Sequence, residues 1–299
     1  MSKPSVIIIG ASGSVGRPLV DGFLSKADQF SKIGVLSSPS SAHKFENEKA
    51  RGVDVVVGSF TDPACYHGYD IAISLAGNTI MRLQPAMIDA AVAGGVTHFY
   101  PSEFGSDTAL HALKDFRYFQ DKRMTRYHCV ATAKLHPQFK YTYMLTAPFT
   151  EWTILPFHGV DRTTKKVVAY GTKDMPMDVT SLKDTVRYAV ASTLLPLAEG
   201  QQKREIRVVG ERTTFQRIID TLGEIEGCKY ETVYVPVEGA LEKMDVARKA
   251  ENEEAELEWS ARGLLNSGNA IVDGPYDNER LDPAPAETVK QTFERILRG

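Results

Sequence analysis

The stretch Val6-Ile7-Ile8-Ile9-Gly10-Ala11-Ser12-Gly13-Ser14-Val15-Gly16 decides the architecture of this 299-residue chain. Four β-branched residues in a row suit a strand buried on both faces, the environment of a parallel sheet. Glycines then recur at positions 10, 13 and 16, and Val15–Leu24 carries apolar residues at helical spacing. Strand, glycine turn and helix in this order build a pyrophosphate-binding corner. Glycine is needed there for the tight turn, for close approach of backbone to phosphate, and for helix–strand packing. The free amides of the helix N-terminus favour an anion. Gly10, Ser12, Gly13, Ser14, Val15 and Gly16 are therefore the first candidate residues for holding a dinucleotide.

Outward from that corner the first half alternates short apolar runs with helical stretches. Strands are expected at Val6–Ile9, Ile33–Leu36, Val53–Val57, Ile71–Ser74, His98–Tyr100 and Tyr141–Leu145, and helices at Val15–Leu24, Ala42–Arg51, Pro85–Ala93 and Phe116–Ala133. This alternation predicts an α/β fold of Rossmann type, a doubly wound parallel sheet covered by helices. After Phe149 the pattern loosens into short strands and helices. Helices are expected at Leu182–Leu195, Thr214–Gly227 and, as one long charged run with a solvated face, Leu241–Leu264, with strands at Glu205–Val209 and Glu231–Val235. The expected organisation is a nucleotide-binding domain over residues 1–150 and a smaller C-terminal α+β substrate lobe over 151–299, with the chain able to cross back to the first domain.

A formal charge of −3 argues against a broad nucleic-acid footprint. No 18-residue apolar window suggests a membrane span, and a strand beginning at Val6 leaves no room for a cleaved leader. Cys65, Cys129 and Cys228 are scattered, without Cys-x-x-Cys or a Cys/His cluster, so neither zinc nor a disulfide framework is expected. The expectation is a cytoplasmic protein, monomer or homodimer, with a small-molecule substrate and no metal.

The choice of dinucleotide lies at the end of the second strand. An NAD site usually offers a carboxylate there for the ribose 2′-hydroxyl. This chain offers Leu36-Ser37-Ser38-Pro39-Ser40-Ser41 instead. Ser37, Ser38 and Lys44, assisted by Arg17, suit a 2′-phosphate, which points to NADP(H).

At Tyr100-Pro101-Ser102-Glu103-Phe104-Gly105-Ser106-Asp107 the sequence resembles the Pro-Ser-Glu-Phe-Gly signature of isoflavone reductase-like and phenylcoumaran benzylic ether reductase-like proteins. These are atypical short-chain dehydrogenase/reductases of the NmrA-like group. The wider spacing of the glycines is similar to that group, as are Asp70–Asn78, Lys140–Met144, Val233–Pro236 and Gly274–Asn278. The resemblance implies that Ala76, Gly77, Asn78, Pro101, Ser102, Glu103 and Phe104 flank the cofactor. It also implies that Lys122, in Lys122-Arg123-Met124-Thr125-Arg126, contacts the nicotinamide ribose and serves in acid/base chemistry. A desolvated lysine can exchange protons near neutrality.

The chain departs from that family at Tyr118. Four residues before Lys122, it reproduces the Tyr-x-x-x-Lys spacing of ordinary short-chain dehydrogenases and shares a helix face with the lysine. It stands either as proton donor or as an aromatic core residue. A second departure is Ala147-Pro148-Phe149-Thr150-Glu151-Trp152, in place of the family's asparagine before Phe-Ala-Gly. Phe149, Trp152, Phe157 and His158, with Met81 and Met124, are candidates for an apolar substrate wall. The reading that follows is an NADPH-dependent reductase of an aromatic or polyketide-like small molecule in secondary metabolism. The competing reading is a non-catalytic NmrA-like sensor of NADP(H).

Overall fold

The computed structural model describes residues 3–110 and 116–298, Tyr118 by its backbone alone. Twelve strands occur among the described residues: β1 (Ser5–Ile9), β2 (Lys32–Ser37), β3 (Asp54–Val57), β4 (Ile71–Ser74), β5 (His98–Tyr100), β6 (Lys140–Leu145), β7 (Val160–Asp161), β8 (Lys166–Tyr170), β9 (Pro176–Val179), β10 (Lys203–Arg207), β11 (Glu211–Thr214) and β12 (Glu231–Val235). Seven form one sheet in the order β10-β6-β5-β4-β1-β2-β3. Pairing from β3 through β6 is parallel, with Ile9 opposite Leu36 on one side and Ser74 on the other. The order of connection reverses between β1 and β4. Ligands of open α/β sheets bind at the carboxyl ends of strands at such a switch point.

The chain divides into two compact units. The first comprises residues 1–103, 121–144 and 186–206, the second 104–120, 145–185 and 207–299. In the first, β1 is buried along its whole length, as its unbroken β-branched run demands. Helix α1 (Gly16–Leu24) buries Gly16, Leu19, Val20 and Phe23, the i, i+3, i+4, i+7 stripe that faces a core. In the second unit β8 pairs with β7 and, in parallel, with β12, while β9 pairs with β11. Their core joins Val167, Ala169, Met177 and Val179 to Phe215, Ile218, Ile219 and Leu222 of the helix Phe215–Glu226. That helix is closed at both ends. The Thr214 side chain accepts from the Arg217 amide, and Gly227 takes the left-handed φ of +66°.

Two expectations need correction. The segment expected as a helix over 42–51 is a 3₁₀ stretch, Pro39–Phe45, followed by the short helix Glu46–Ala50. Its thin apolar stripe buries only Phe45 and Glu48, too little to hold a longer α-helix. The expected single helix over 241–264 is two, Glu238–Lys249 and Glu253–Leu265. Glu251 adopts φ of +53° and Asn252 caps the second helix by accepting from the Ala255 amide at 3.1 Å. The pair buries Ala240, Met244 and Ala247 with Ser260, Ala261, Gly263, Leu264 and Leu265, while Glu242, Lys243, Asp245 and Lys249 stay exposed. No helix among the described residues is long and apolar enough to cross a membrane.

Candidate active site

The glycine turn has the form its spacing predicts. Gly10 takes φ of +81°, and a Cβ there would lie 2.6 Å from the Leu75 carbonyl oxygen. A Cβ on Gly16 would lie 2.5 Å from the Gly10 oxygen. Both positions exclude any side chain, and both bring bare backbone to the mouth of the β1–β4 switch point. No side chain caps the α1 N-terminus at Val15, and Ser12, Gly13 and Ser14 are exposed. An anion meets uncapped amides at such a corner. These features fit a pyrophosphate.

Around it the strand ends are tied together by specific hydrogen bonds. Beside the turn, Ala76-Gly77-Asn78 leads β4 into the short helix Asn78–Met81. The Ser102 hydroxyl donates to the Ala76 carbonyl at 3.0 Å, and the Ser102 amide donates to Gln84 Oε1 at 2.8 Å. Pro101, Ser102 and Glu103 thus sit at the carboxyl end of β5 against the carboxyl end of β4. Phe104, next in the chain, has the strained φ of +25°. At the end of β2, Ser37 is buried, its hydroxyl donating to the Ser38 carbonyl, while Ser38 Oγ lies 3.0 Å from Ser40 Oγ. Lys44 lies exposed six residues beyond Ser38.

Lys122 sits on the helix Arg117–Leu135, in the buried row Lys122, Thr125, Cys129, Thr132. Periodicity would place an apolar residue there. Instead an ammonium 5% exposed donates from Nζ to the Glu103 carbonyl oxygen. Burial pushes its pKa down to about 8, with the Glu103 carboxylate opposing that shift and Arg126 adding to it. One helical turn on, Arg126 grips the Glu103 side chain through two bonds of 2.9 Å, from Nε to Oε1 and Nη2 to Oε2. Glu103 is thus held by its main chain from Lys122 and by its side chain from Arg126. The result is a lysine able to give or take a proton near neutral pH, at the same strand ends as the glycine turn.

The other candidates fall in separate places. Met81 is buried at the end of the helix that follows Asn78, whereas Met124 is 61% exposed and off the face that buries Lys122. In the second unit Phe149 and Trp152 meet edge to face at 4.8 Å, and Phe157 and His158 at 5.2 Å. The His158 pKa is pushed down to about 4 by burial and by Arg262, so the imidazole is neutral. Its buried Nδ1 has no hydrogen-bond partner among the described residues. The Tyr118 side chain lies outside the described residues. Two further groups have roles that the sequence does not assign. Arg126 was signalled by its i+4 spacing from Lys122, while Gln84, fully buried at a helix start, had no signal beyond being polar amid apolar neighbours.

The NmrA-like family model matches residues 2–265. The chain belongs to the NmrA-like family. It is 25% identical over 298 residues to phenylcoumaran benzylic ether reductase Pyrc5 of Pyrus communis, covering 95% of this chain and 91% of that one. Oxidoreductase aprR of Aspergillus flavus is 26% identical over 237 residues, 78% of this chain and 77% of its own. Among solved structures, isoflavone reductase superposes with a TM-score of 0.77 at 20% identity, covering 99% of this chain and 100% of that one. The leucoanthocyanidin reductase–NADPH complex of Vitis vinifera gives 0.77 at 19%, with the same coverage. The doubly wound fold is shared with these solved structures, and the relatives of this NmrA-like chain are named as a reductase and an oxidoreductase.

Proposed function

We propose that this NmrA-like protein is an NADPH-dependent reductase of an aromatic or polyketide-like small molecule, acting at a ketone, enone or quinone-methide-like carbon in secondary metabolism. The observation that carries the reading is Lys122, buried, near-neutral in acidity, and bonded to the strand end that also holds Ser102. When bound, NADPH supplies a hydride from nicotinamide C4.

The chain's own residues do the rest. The backbone of Gly10–Gly16 would hold the pyrophosphate, and Ser37, Ser38, Lys44 and Arg17 the 2′-phosphate. Ala76–Asn78 and Pro101–Phe104 would flank the nicotinamide half, as their bonding between β4 and β5 supports. Lys122 holds a proton on Nζ at neutral pH and releases it as charge develops on the substrate oxygen or carbon. Its burial excludes water that would otherwise level its acidity. Phe149, Trp152, Phe157 and His158, with Met81 and Met124, are proposed to offer aromatic and apolar surface to the substrate. The neutral His158 Nδ1, without a hydrogen-bond partner among the described residues, would supply a polar handle beside Phe157. Binding titrations with NADPH and NADP⁺, followed by NADPH oxidation against a panel of aromatic enones and ketones, test the reading. Turnover of a panel member supports it. Tight NADPH binding with no turnover by any of them, together with cofactor-dependent capture of a partner protein, replaces it with a sensor.

A further inference from the structure

The corner beyond β2 holds an ion pair that dinucleotide binding alone leaves unexplained. Arg17 follows the third glycine of the turn. Its Nη1 donates to Glu48 Oε1 at 3.0 Å and its Nη2 to the Lys44 carbonyl at 3.3 Å. Glu48 is 5% exposed, and its second oxygen, Oε2, is buried with no hydrogen-bond partner among the described residues. A carboxylate buried with one oxygen unsatisfied destabilises a fold, and an apolar side chain would pack there at lower cost. Arg17, by contrast, keeps about half of its side chain in solvent. The pair therefore does not exist to bury an arginine. Its effect is to fix where an exposed guanidinium stands.

Both anchors lie on one segment. Lys44 and Glu48 belong to the 3₁₀ stretch and short helix that begin directly after Ser37-Ser38. Arg17 thus bridges the helix of the glycine turn to the serine loop. A guanidinium has five N–H donors in a rigid fork. With one donor given to a carboxylate and one to a carbonyl, the fork is held in place and its remaining donors stay available for a phosphate. We propose that Glu48 is a positioning residue that holds Arg17 at the serine loop to read the 2′-phosphate of NADPH, and that it thereby sets the preference for NADPH over NADH. This rests on the reductase reading above, in its cofactor half alone. An untethered arginine would instead lose its rotamer freedom on each binding event.

Dissociation constants for NADPH and NADH by fluorescence titration, and for 2′,5′-ADP by calorimetry, test the proposal without any substrate. Glu48→Leu should weaken NADPH and 2′,5′-ADP about tenfold, one charge-assisted hydrogen bond's worth, and NADH less than about twofold. Glu48→Gln, nearly isosteric and still able to accept from Nη1, should stay within about threefold of the parent. Arg17→Ala should match or exceed Glu48→Leu, and adding either Glu48 change to Arg17→Ala should do nothing more. Equal loss for NADPH and NADH, tighter NADPH binding in Glu48→Leu, or additive losses in the double variants would each overturn the proposal. Should Glu48→Leu fail to fold, Glu48→Met, which likewise removes the acceptor, takes its place with and without Arg17→Ala. A parent protein that binds neither nucleotide is a different result and sinks the dinucleotide reading itself.

Discussion

Among the described residues of the first unit two cations lie buried, Lys122 and Arg204, and the fold treats them oppositely. Arg204 spends its fork on neutral acceptors: Nε on Thr142 Oγ1 at 3.2 Å, Nη1 on the Leu195 carbonyl at 2.7 Å, Nη2 on the Tyr100 hydroxyl at 2.7 Å and the Ser192 carbonyl at 2.8 Å. His98, whose Nε2 lies 2.8 Å from Thr142 Oγ1, is pushed down to about 3 by burial and by Arg204, and so is neutral. A guanidinium does not deprotonate. The charge in that cluster is therefore constant, and what it does is join β5, β6 and β10 to the helix Leu182–Leu194. Lys122 instead stands beside a carboxylate and a second cation, with an acidity that burial has moved into the working range. Around neutral pH the first cluster keeps its charge, whereas the second holds a lysine that burial brings within range of titration. Saturation by neutral acceptors suits a scaffold, and a desolvated, titratable cation suits the proposed chemistry.

The comparison breaks first at Arg204. Arg204→Met leaves the Leu195 and Ser192 carbonyls, Thr142 and Tyr100 facing apolar carbon. It should lower unfolding free energy by about 3 kcal/mol or more, as the loss of several hydrogen bonds to a buried charge implies. The folded fraction should bind NADPH as the parent does. Urea unfolding followed by fluorescence reads the first, and titration the second. A parental midpoint would show that saturation does not identify scaffold.

Lys122→Met should do the reverse. Turnover should fall about 10²-fold or more, the scale of a lost general acid–base group, while the NADPH dissociation constant moves far less. Unchanged turnover removes Lys122 from the mechanism.

The same substitution carries a stability signature. The lysine pKa is about 8 when folded against 10.5 ordinarily, so between those values the unfolded chain binds more protons and parental stability rises with pH. The penalty of burying the ammonium is fully present below about 8 and relieved by about 10.5. Lys122→Met has no such penalty, so its melting temperature relative to the parent should be highest at pH 7 and decline as pH rises through that window. In the parent, turnover should hold up to about pH 8 and fall above it as the proton donor is lost. A difference in melting temperature that is flat with pH, or a rate that climbs above pH 8, contradicts a buried acid at this position.

How much of this was legible beforehand follows physical range. The β1–α1 corner was readable because its determinants are local. Three glycines, a β-branched run and an amphipathic start lie within one stretch, and Gly10 and Gly16 meet atoms that leave no alternative. The six strands at the start of the chain were legible for the same reason. Lys122 was visible only through resemblance, since nothing local says that a helical lysine is buried. Its burial depends on Glu103, nineteen residues away, offering a carbonyl. The Arg204 cluster was invisible because its members come from β5, β6, the helix Leu182–Leu194 and β10 and meet only in three dimensions. The break at Glu251-Asn252 was missed because charge and helix propensity run straight through it. A side-chain cap and one left-handed residue decide it.

The smallest effect is expected at Tyr118, and it sharpens what kind of site Lys122 occupies. In an ordinary short-chain dehydrogenase arrangement a lysine serves a tyrosine four residues earlier by lowering its pKa, and the phenol gives the proton. That division of labour suits a lysine that stays charged, whose field holds the phenol low. Here burial brings the lysine itself to about 8, so on the proposed mechanism the ammonium serves as the acid near neutral pH without the phenol. Tyr118→Phe removes only the hydroxyl. It should change turnover by less than about threefold and leave the alkaline fall in rate where it was, because the titrating group remains. A loss of about 10²-fold with the lysine present would make the phenol the donor, and the buried cation would then be its support rather than the acid.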